Sequence, residues 1–329
     1  MTGDTPTASS SAARQGLAAL CLLLPLAAAA QPFPSKPIRL IVAYPAGGPN
    51  DLSARTFGQK VADLLGQPVI VENRAGAAGN IGSQFVARSP ADGYTLLNGA
   101  SALTIAPALS RNLGYEVAKD FAPVGLTAIS SFVLAVHPSV PATSIRELLA
   151  LARKRPGGLN YASSGVGAPP HLAGELLKTM AGVDILHVPY KGVGQSIGDL
   201  VGGQVDMMFT SPPNAVPHVK QGRLRALAVS TARRSALLPE VPTIAESGLK
   251  GFDIGTWFGW LAPAGTPPEI VNRLNGALAA AEKMPDLRER LVSQGMDPTH
   301  TTPAAFAALI RSELAKFAGI VERAKIPPE

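Results

Sequence analysis

Short apolar or β-branched runs alternate with longer amphipathic stretches along most of the chain. Ile38–Tyr44, Val69–Glu72 and Tyr94–Leu97 are bounded by Gly, Pro and Asn, the pattern of buried strands. Between them, helical spacing of apolar residues predicts helices over Leu52–Leu65 and Ile81–Ala87. Ser144-Ile145-Arg146-Glu147 reads as a capping box opening a helix to Lys154, where Pro156 and Gly157 stop it. Strands at Leu159–Ala162, Ile185–Val188, Val205–Phe209 and Leu224–Ser230 then alternate with helices at His171–Met180 and Gln195–Val201 and a helical turn near Pro217. The aromatic run Trp257–Leu261 predicts one more strand. Thr266–Glu269 has the form of a second capping box, and three helices, near 268–283, 285–294 and 303–324, finish the chain with no strand after them.

This alternation predicts two α/β lobes, each a mostly parallel sheet flanked by helices. The terminal helices are expected to cover the first lobe. The lobes are then residues 31–135 with 255–329, and residues 136–254, joined by crossovers near Phe132–His137 and Phe252–Trp260 around a cleft.

Two glycine-rich loops carry the candidate chemistry. Tyr44-Pro45-Ala46-Gly47-Gly48-Pro49-Asn50-Asp51 follows a strand and enters a helix. Adjacent glycines allow bare N–H groups to turn toward a ligand, and a helix start favours an anion. Tyr161-Ala162-Ser163-Ser164-Gly165-Val166-Gly167 repeats the strand–loop–helix arrangement in the other lobe, placing a ligand between the two. Candidate contacts are Tyr44, Ala46, Gly47, Gly48, Asn50 and Asp51 on the first loop, and Ser163, Ser164, Gly165, Gly167 and Ala168 on the second. Asn98, Ser101 and Ala102 follow a strand toward the same cleft. Tyr190, at a strand end, and Asp206, which also reads as a structural strand-start residue, complete the set.

Charge and composition narrow the ligand class. The chain is 46% hydrophobic and 16% charged, with a net charge of +6. Arg153-Lys154-Arg155 and Arg233-Arg234 lack interleaved aromatics and read as solvated surface, so small anions account for the surplus better than nucleic acid. Residues 17–30 are apolar but shorter than the ~20 residues of a membrane span, and Ala28-Ala29-Ala30 offers a cleavage site before Gln31. The stretch 1–30 is expected to be a signal peptide and the mature protein periplasmic. Cys21, the one cysteine, lies inside this leader behind Leu20, which disfavours lipidation and leaves the mature chain without thiol chemistry.

Enzymatic readings find little support. The sequence has no G-x-S-x-G elbow, P-loop or G-x-G-x-x-G after a strand, and its 5 histidines form no H-E-x-x-H. A hydrolytic Ser–His pair such as Ser163 with His171 is the enzymatic alternative, and a ligand-sensing regulatory domain is a third. No cofactor or metal is expected.

The chain closely resembles the Bug-type, TctC-like receptors of tripartite tricarboxylate transporters. The resemblance is carried by Tyr44–Asp51 and, in order, ENRAGAAGNIG at Glu72–Gly82, PADGYTL at Pro90–Leu96, HLAGE at His171–Glu175, HVPYKG at His187–Gly192 and GQVD at Gly203–Asp206. It implies a monomeric two-lobed flytrap that closes on a small carboxylate-bearing solute and hands it to membrane subunits of the transporter or to a sensor protein. It also implies that one carboxylate is held by backbone N–H groups and ordered waters in the first lobe, while the second lobe selects the rest of the molecule. Ala168 stands where many relatives have Ser or Thr, which removes a donor and implies either a ligand less polar at its far end or another group in the place of the hydroxyl. Ala78 replaces a frequent glycine in a loop assigned to packing, and Asn50 replaces a Thr or Ser.

Overall fold

The computed structural model describes residues 1–4, 33–110 and 112–327. The chain divides into Met1–Phe33 and one compact unit, Pro34–Glu329. The expected leader, its cleavage site and Cys21 lie outside the described residues. No described helix is long and apolar enough to cross a membrane.

The first half alternates strands and helices as β1 (Ile38–Val42), α1 (Pro49–Leu65), β2 (Val69–Asn73), α2 (Asn80–Ala87), β3 (Thr95–Ala100), α3 (Ala102–Leu109), the short α4 (Val117–Asp120) and β4 (Phe121–Ser131). A second series follows: β5 (Val133–Val136), α5 (Ile145–Lys154), β6 (Asn160–Ser163), α6 (Pro169–Ala181), β7 (Leu186–Pro189), α7 (Val193–Val201), β8 (Met207–Thr210), α8 (Pro212–Lys220) and β9 (Arg225–Val229). The chain returns through β10 (Gly255–Pro263) to α9 (Pro268–Glu282), α10 (Pro285–Ser293), β11 (Asp297–Pro298) and α11 (Pro303–Arg323).

Two sheets result, in the orders β11-β4-β10-β3-β1-β2 and β7-β6-β8-β5-β9. The expected two-lobed α/β fold is present, with sheets more mixed than the alternation suggested. β1 runs parallel to β2 and β3, and β6 to β7 and β8, whereas β10 and β5 pair antiparallel with their neighbours. β5 and β10 each enter their sheet directly from a crossover, and the short β11 also runs antiparallel, to β4. A strand that enters a sheet from the other lobe arrives without a βαβ connection and is free to run antiparallel. The second sheet begins at Val133, so the first crossover is confined to Phe132, between β4 and β5.

Local chemistry explains several boundaries and corrects others. Ser144 Oγ accepts from the Glu147 N–H, while the Glu147 carboxylate reaches Thr143 rather than closing the box on Ser144. The expected box at Thr266 does not form, because Thr266 Oγ1 donates to the Pro263 carbonyl and Pro267 takes the N-cap place. Strand β4 was not visible as a strand because Pro123 and Gly125 interrupt its pattern. β11 is too short to show a period. One apolar core gathers around Ile41, Leu97, Trp257 and Phe306 in the first lobe, and a second, around Leu134, Tyr161, Leu172 and Phe209, takes in Ile105 of α3 and Phe317, Ile320 and Val321 of α11 as well.

Ser230 ties the two crossovers together. Its backbone exchanges hydrogen bonds with Phe132 and Ile254, and its hydroxyl accepts from the Phe132 N–H at 2.9 Å while donating to the Ile254 carbonyl at 2.6 Å.

Candidate functional site

The cleft lies beyond the carboxyl ends of β1, β3, β6 and β8, where ligands of open α/β sheets bind. It comprises two adjoining cavities that share Tyr44, Ala102 and Pro169. The proximal one, about 710 Å³, is lined from the first lobe by Ala46, Gly47, Gly48, Asn50 and Ser101, with Phe132 and Phe258 at its apolar floor and Ser211 from the second lobe. The distal one, about 340 Å³, is lined by Ser164, Gly165, Val166, Gly167 and Ala168, facing Ile105, Leu109, Ala78, Asn80 and Ile326.

The first loop is held open by a side-chain clasp. Gly47 takes φ +82°, a conformation that glycine alone adopts without strain, and its N–H donates to Asp51 Oδ2 at 2.9 Å. Arg55 Nε donates to the same oxygen, and Asn73 donates both to Asp51 Oδ1 and to the Tyr44 carbonyl. Burial opposes the charge on Asp51, but hydrogen bonds from Arg55, Gly47 and Asn73 prevail and hold its carboxyl below the usual range. Burial, reinforced by Tyr115, pushes the Tyr44 phenol well above its ordinary value, so Tyr44 offers the cavity a neutral ring and hydroxyl. Asn98 Nδ2 donates to the backbone and side chain of Asn50, fixing the loop to the end of β3.

Four helices point their N-termini at the cleft, but they offer unequal donors. In α1 the first helical bond is Leu52 N–H to the Gly48 carbonyl, which leaves the N–H groups of Asn50 and Asp51 ahead of it. In α3 the N–H groups of Ala102 and Leu103 are likewise ahead of the bonds to Ser101, whose fully buried hydroxyl lines the cavity without a partner. In the second lobe α6 opens with Pro169-Pro170 and α8 with Pro212-Pro213, and proline has no N–H to give.

The second loop is also self-satisfied. The Gly165 N–H donates to Ser163 Oγ, that of Gly167 to His171 Nδ1 at 3.0 Å, and that of Ala168 to the Gly165 carbonyl. Behind the loop, His171 and His187 stack with ring centroids 3.9 Å apart, and Tyr161 stacks on His187 at 4.8 Å. Burial lowers the pKa of His171. Burial and the neighbouring His171 ring together lower that of His187 to about 4, so both imidazoles are neutral near pH 7. Glu175, at the edge of this stack, accepts from Tyr161 Oη and Lys178 Nζ.

Several expected contacts occupy other positions. Asp51 is the clasp described above and does not line either cavity, while Asn98 is fully buried beneath Asn50. Ser163 is buried and bound to Gly165 and to His187 Nε2, 2.7 Å away, rather than to His171, so no hydroxyl–imidazole pair faces the cleft through it. Tyr190 sits behind Gly165, with its hydroxyl on Asp199. Asp206 lies at the opposite end of the second sheet, accepting from the Asn160 N–H before β8 begins. The remaining candidates line the cleft. Sequence reading missed Ile105, Leu109 and Ile326, and assigned Ala78 to packing, although it lines the distal cavity in a left-handed conformation at φ 53°. The substitution of Ala for a flexible glycine was the available signal.

Two α/β lobes around a cleft, with unspent helix-start N–H groups on the first-lobe wall, define a solute-binding receptor of the periplasmic type. The profile of the tripartite tricarboxylate transporter family receptor matches residues 53–326. Protein BugT of Bordetella pertussis is 38% identical over 294 residues, which are 89% of this chain and 90% of BugT. Among solved structures, R. palustris Rpa4515 with adipate superposes with a TM-score of 0.74 at 37% identity, covering 90% of this chain and 100% of that one. MatC from Rhodopseudomonas palustris with bound malate gives 0.69 at 34% identity, covering 88% and 100%. The chain belongs to the tripartite tricarboxylate transporter receptor family, whose members are binding receptors and not enzymes.

Proposed function

We propose that this protein is a periplasmic receptor that closes on a small carboxylate-bearing solute and delivers it to the membrane subunits of a tripartite tricarboxylate transporter, after cleavage of a leader near Gln31. The carboxylate is received by the first lobe, at Gly48, Asn50 and Ser101 and the helix starts of α1 and α3. The observation that carries this reading is the supply of backbone donors: unspent N–H groups are costly to bury, and those at the starts of α1 and α3 lie beside the Ser101 hydroxyl on the first-lobe wall of the cleft. The acids bound by Rpa4515 and MatC support a carboxylate as the solute. The residues of the first sheet with the C-terminal helices act as one closing body and those of the second sheet as the other.

Native mass spectrometry of protein purified without denaturation, followed by calorimetry with the solute released from it, tests the reading. A retained small acid that rebinds with 1:1 stoichiometry is the expected result. A retained neutral or cationic solute would refute it. Delivery is tested separately by deleting the gene and measuring uptake of that acid. Normal uptake with loss of a transcriptional response would assign the protein to sensing.

A further inference from the structure

We propose, building on the carboxylate-receptor reading, that the solute carries a single carboxylate on an apolar alkyl or aromatic body, and that a second carboxylate at its far end is rejected. The donor count is the first ground. The first lobe keeps N–H groups and the Ser101 hydroxyl unspent, whereas the second-lobe loop spends those of Gly165, Gly167 and Ala168 within itself. The proline pairs opening α6 and α8 strip further donors from the same wall.

The lining is the second ground. Where the far end of a bound acid would lie, the cavity is lined mainly by the side chains of Ile105, Leu109, Val166 and Ile326 and the methyl of Ala168, with Asn80, Ser110 and Ser164 as its neutral polar groups. Leu109 reaches across to the second lobe, its Cδ1 only 2.6 Å from where a Cβ on Gly167 would sit. No charged side chain lines either cavity among the described residues. An ionised carboxylate moved into such surroundings, with neutral polar groups but no cation to meet it, loses more hydration than it regains, while a methyl or ring edge gains from leaving water.

Matched pairs differing only in the far-end group test this directly. Calorimetry should show hexanoate binding at least tenfold tighter than adipate, and 4-methylbenzoate at least tenfold tighter than terephthalate. Val166→Arg places a cation on an exposed position of the distal wall, where folding is not at stake, and should bring adipate to parity with hexanoate or beyond. Tighter binding of the dicarboxylate in either pair, or a ratio unmoved by Val166→Arg, overturns the proposal while leaving the carboxylate-receptor reading intact. Failure of every mono- and dicarboxylate to bind would instead refute that reading, and the proposal with it.

Discussion

The two glycine-rich loops that face each other across the cleft look alike in sequence and behave differently. Each follows a strand and enters a helix, yet the Tyr44–Asp51 loop delegates its internal bonding to a side chain, while the Ser163–Ala168 loop bonds itself. Asp51 takes the Gly47 N–H and braces Arg55 and Asn73 behind the loop, so the helix-start donors stay available in front. In the second loop Ser163 and His171 take the donors of Gly165 and Gly167, so those two glycines offer the cleft no N–H and Ser164 is left as the loop's polar side chain in the lining. Glycine content announces that N–H groups can be exposed. Which neighbour consumes them decides whether they are.

The largest expected effect comes from blocking the open loop. Gly48 has φ −77° and ψ 169°, and a Cβ there would meet only the Pro45 carbonyl at 3.6 Å, so a side chain is tolerated by the fold. Gly48→Val should lower carboxylate affinity at least 100-fold, a loss of about 2.7 kcal/mol, with an unchanged melting temperature. Calorimetry and thermal denaturation on the same sample check both halves, and retained affinity would move the anion site away from this loop. Asp51→Ala should come next. It leaves the Gly47 N–H and the Arg55–Asn73 pair without their acceptor, costing about 1–3 kcal/mol of stability and weakening binding through a loosened loop. A variant that binds normally despite reduced denaturant resistance would separate the clasp from the site.

The self-bonded loop should instead respond to pH. His171 and His187 have folded-state pKa values below the unfolded value of 6.5, so the unfolded chain binds more protons as the medium is acidified. Their contribution to stability is complete above pH 6.5 and is lost as pH falls, that of His187 as the pH passes about 4. Glu175, Lys178 and Tyr161 face the same stack, so the comparison must be made against His187→Gln, whose denaturation profile should be flatter between pH 4 and 6.5. Equal slopes would remove the imidazoles from the account. The smallest effect is expected from Ala168→Ser. Ala168 is the N-cap of α6, so a serine there should add about 0.5–2 kcal/mol of stability and change the order of preferred acids by only a few-fold. A large reordering without stabilisation would show that the hydroxyl faces the solute rather than the helix.

The alternation of strands and helices, the paired lobes and the placement of the loops at strand ends were all readable from periodicity and glycine position. Which polar side chains face the cleft was not. Asp51, Asn98 and Ser163 belong to the right loops but point into the scaffold, because a short buried side chain follows the nearest unpaired donor or acceptor, and that partner is remote in sequence. Asn98 finds Asn50 and Ser163 finds His187 only after the sheets assemble. Ile105, Leu109 and Ile326 escaped for a related reason. Their apolar character is that of ordinary core, and only the packing of α3 and α11 against the second lobe brings them to the cavity.

The hydroxyl of Ser230 touches both connections between the lobes at one height, through Phe132 and Ile254. Two links pinned at a common point cannot flex independently. A change in the backbone path of either link at that height therefore disturbs the other, so the two crossovers are mechanically coupled through one side chain.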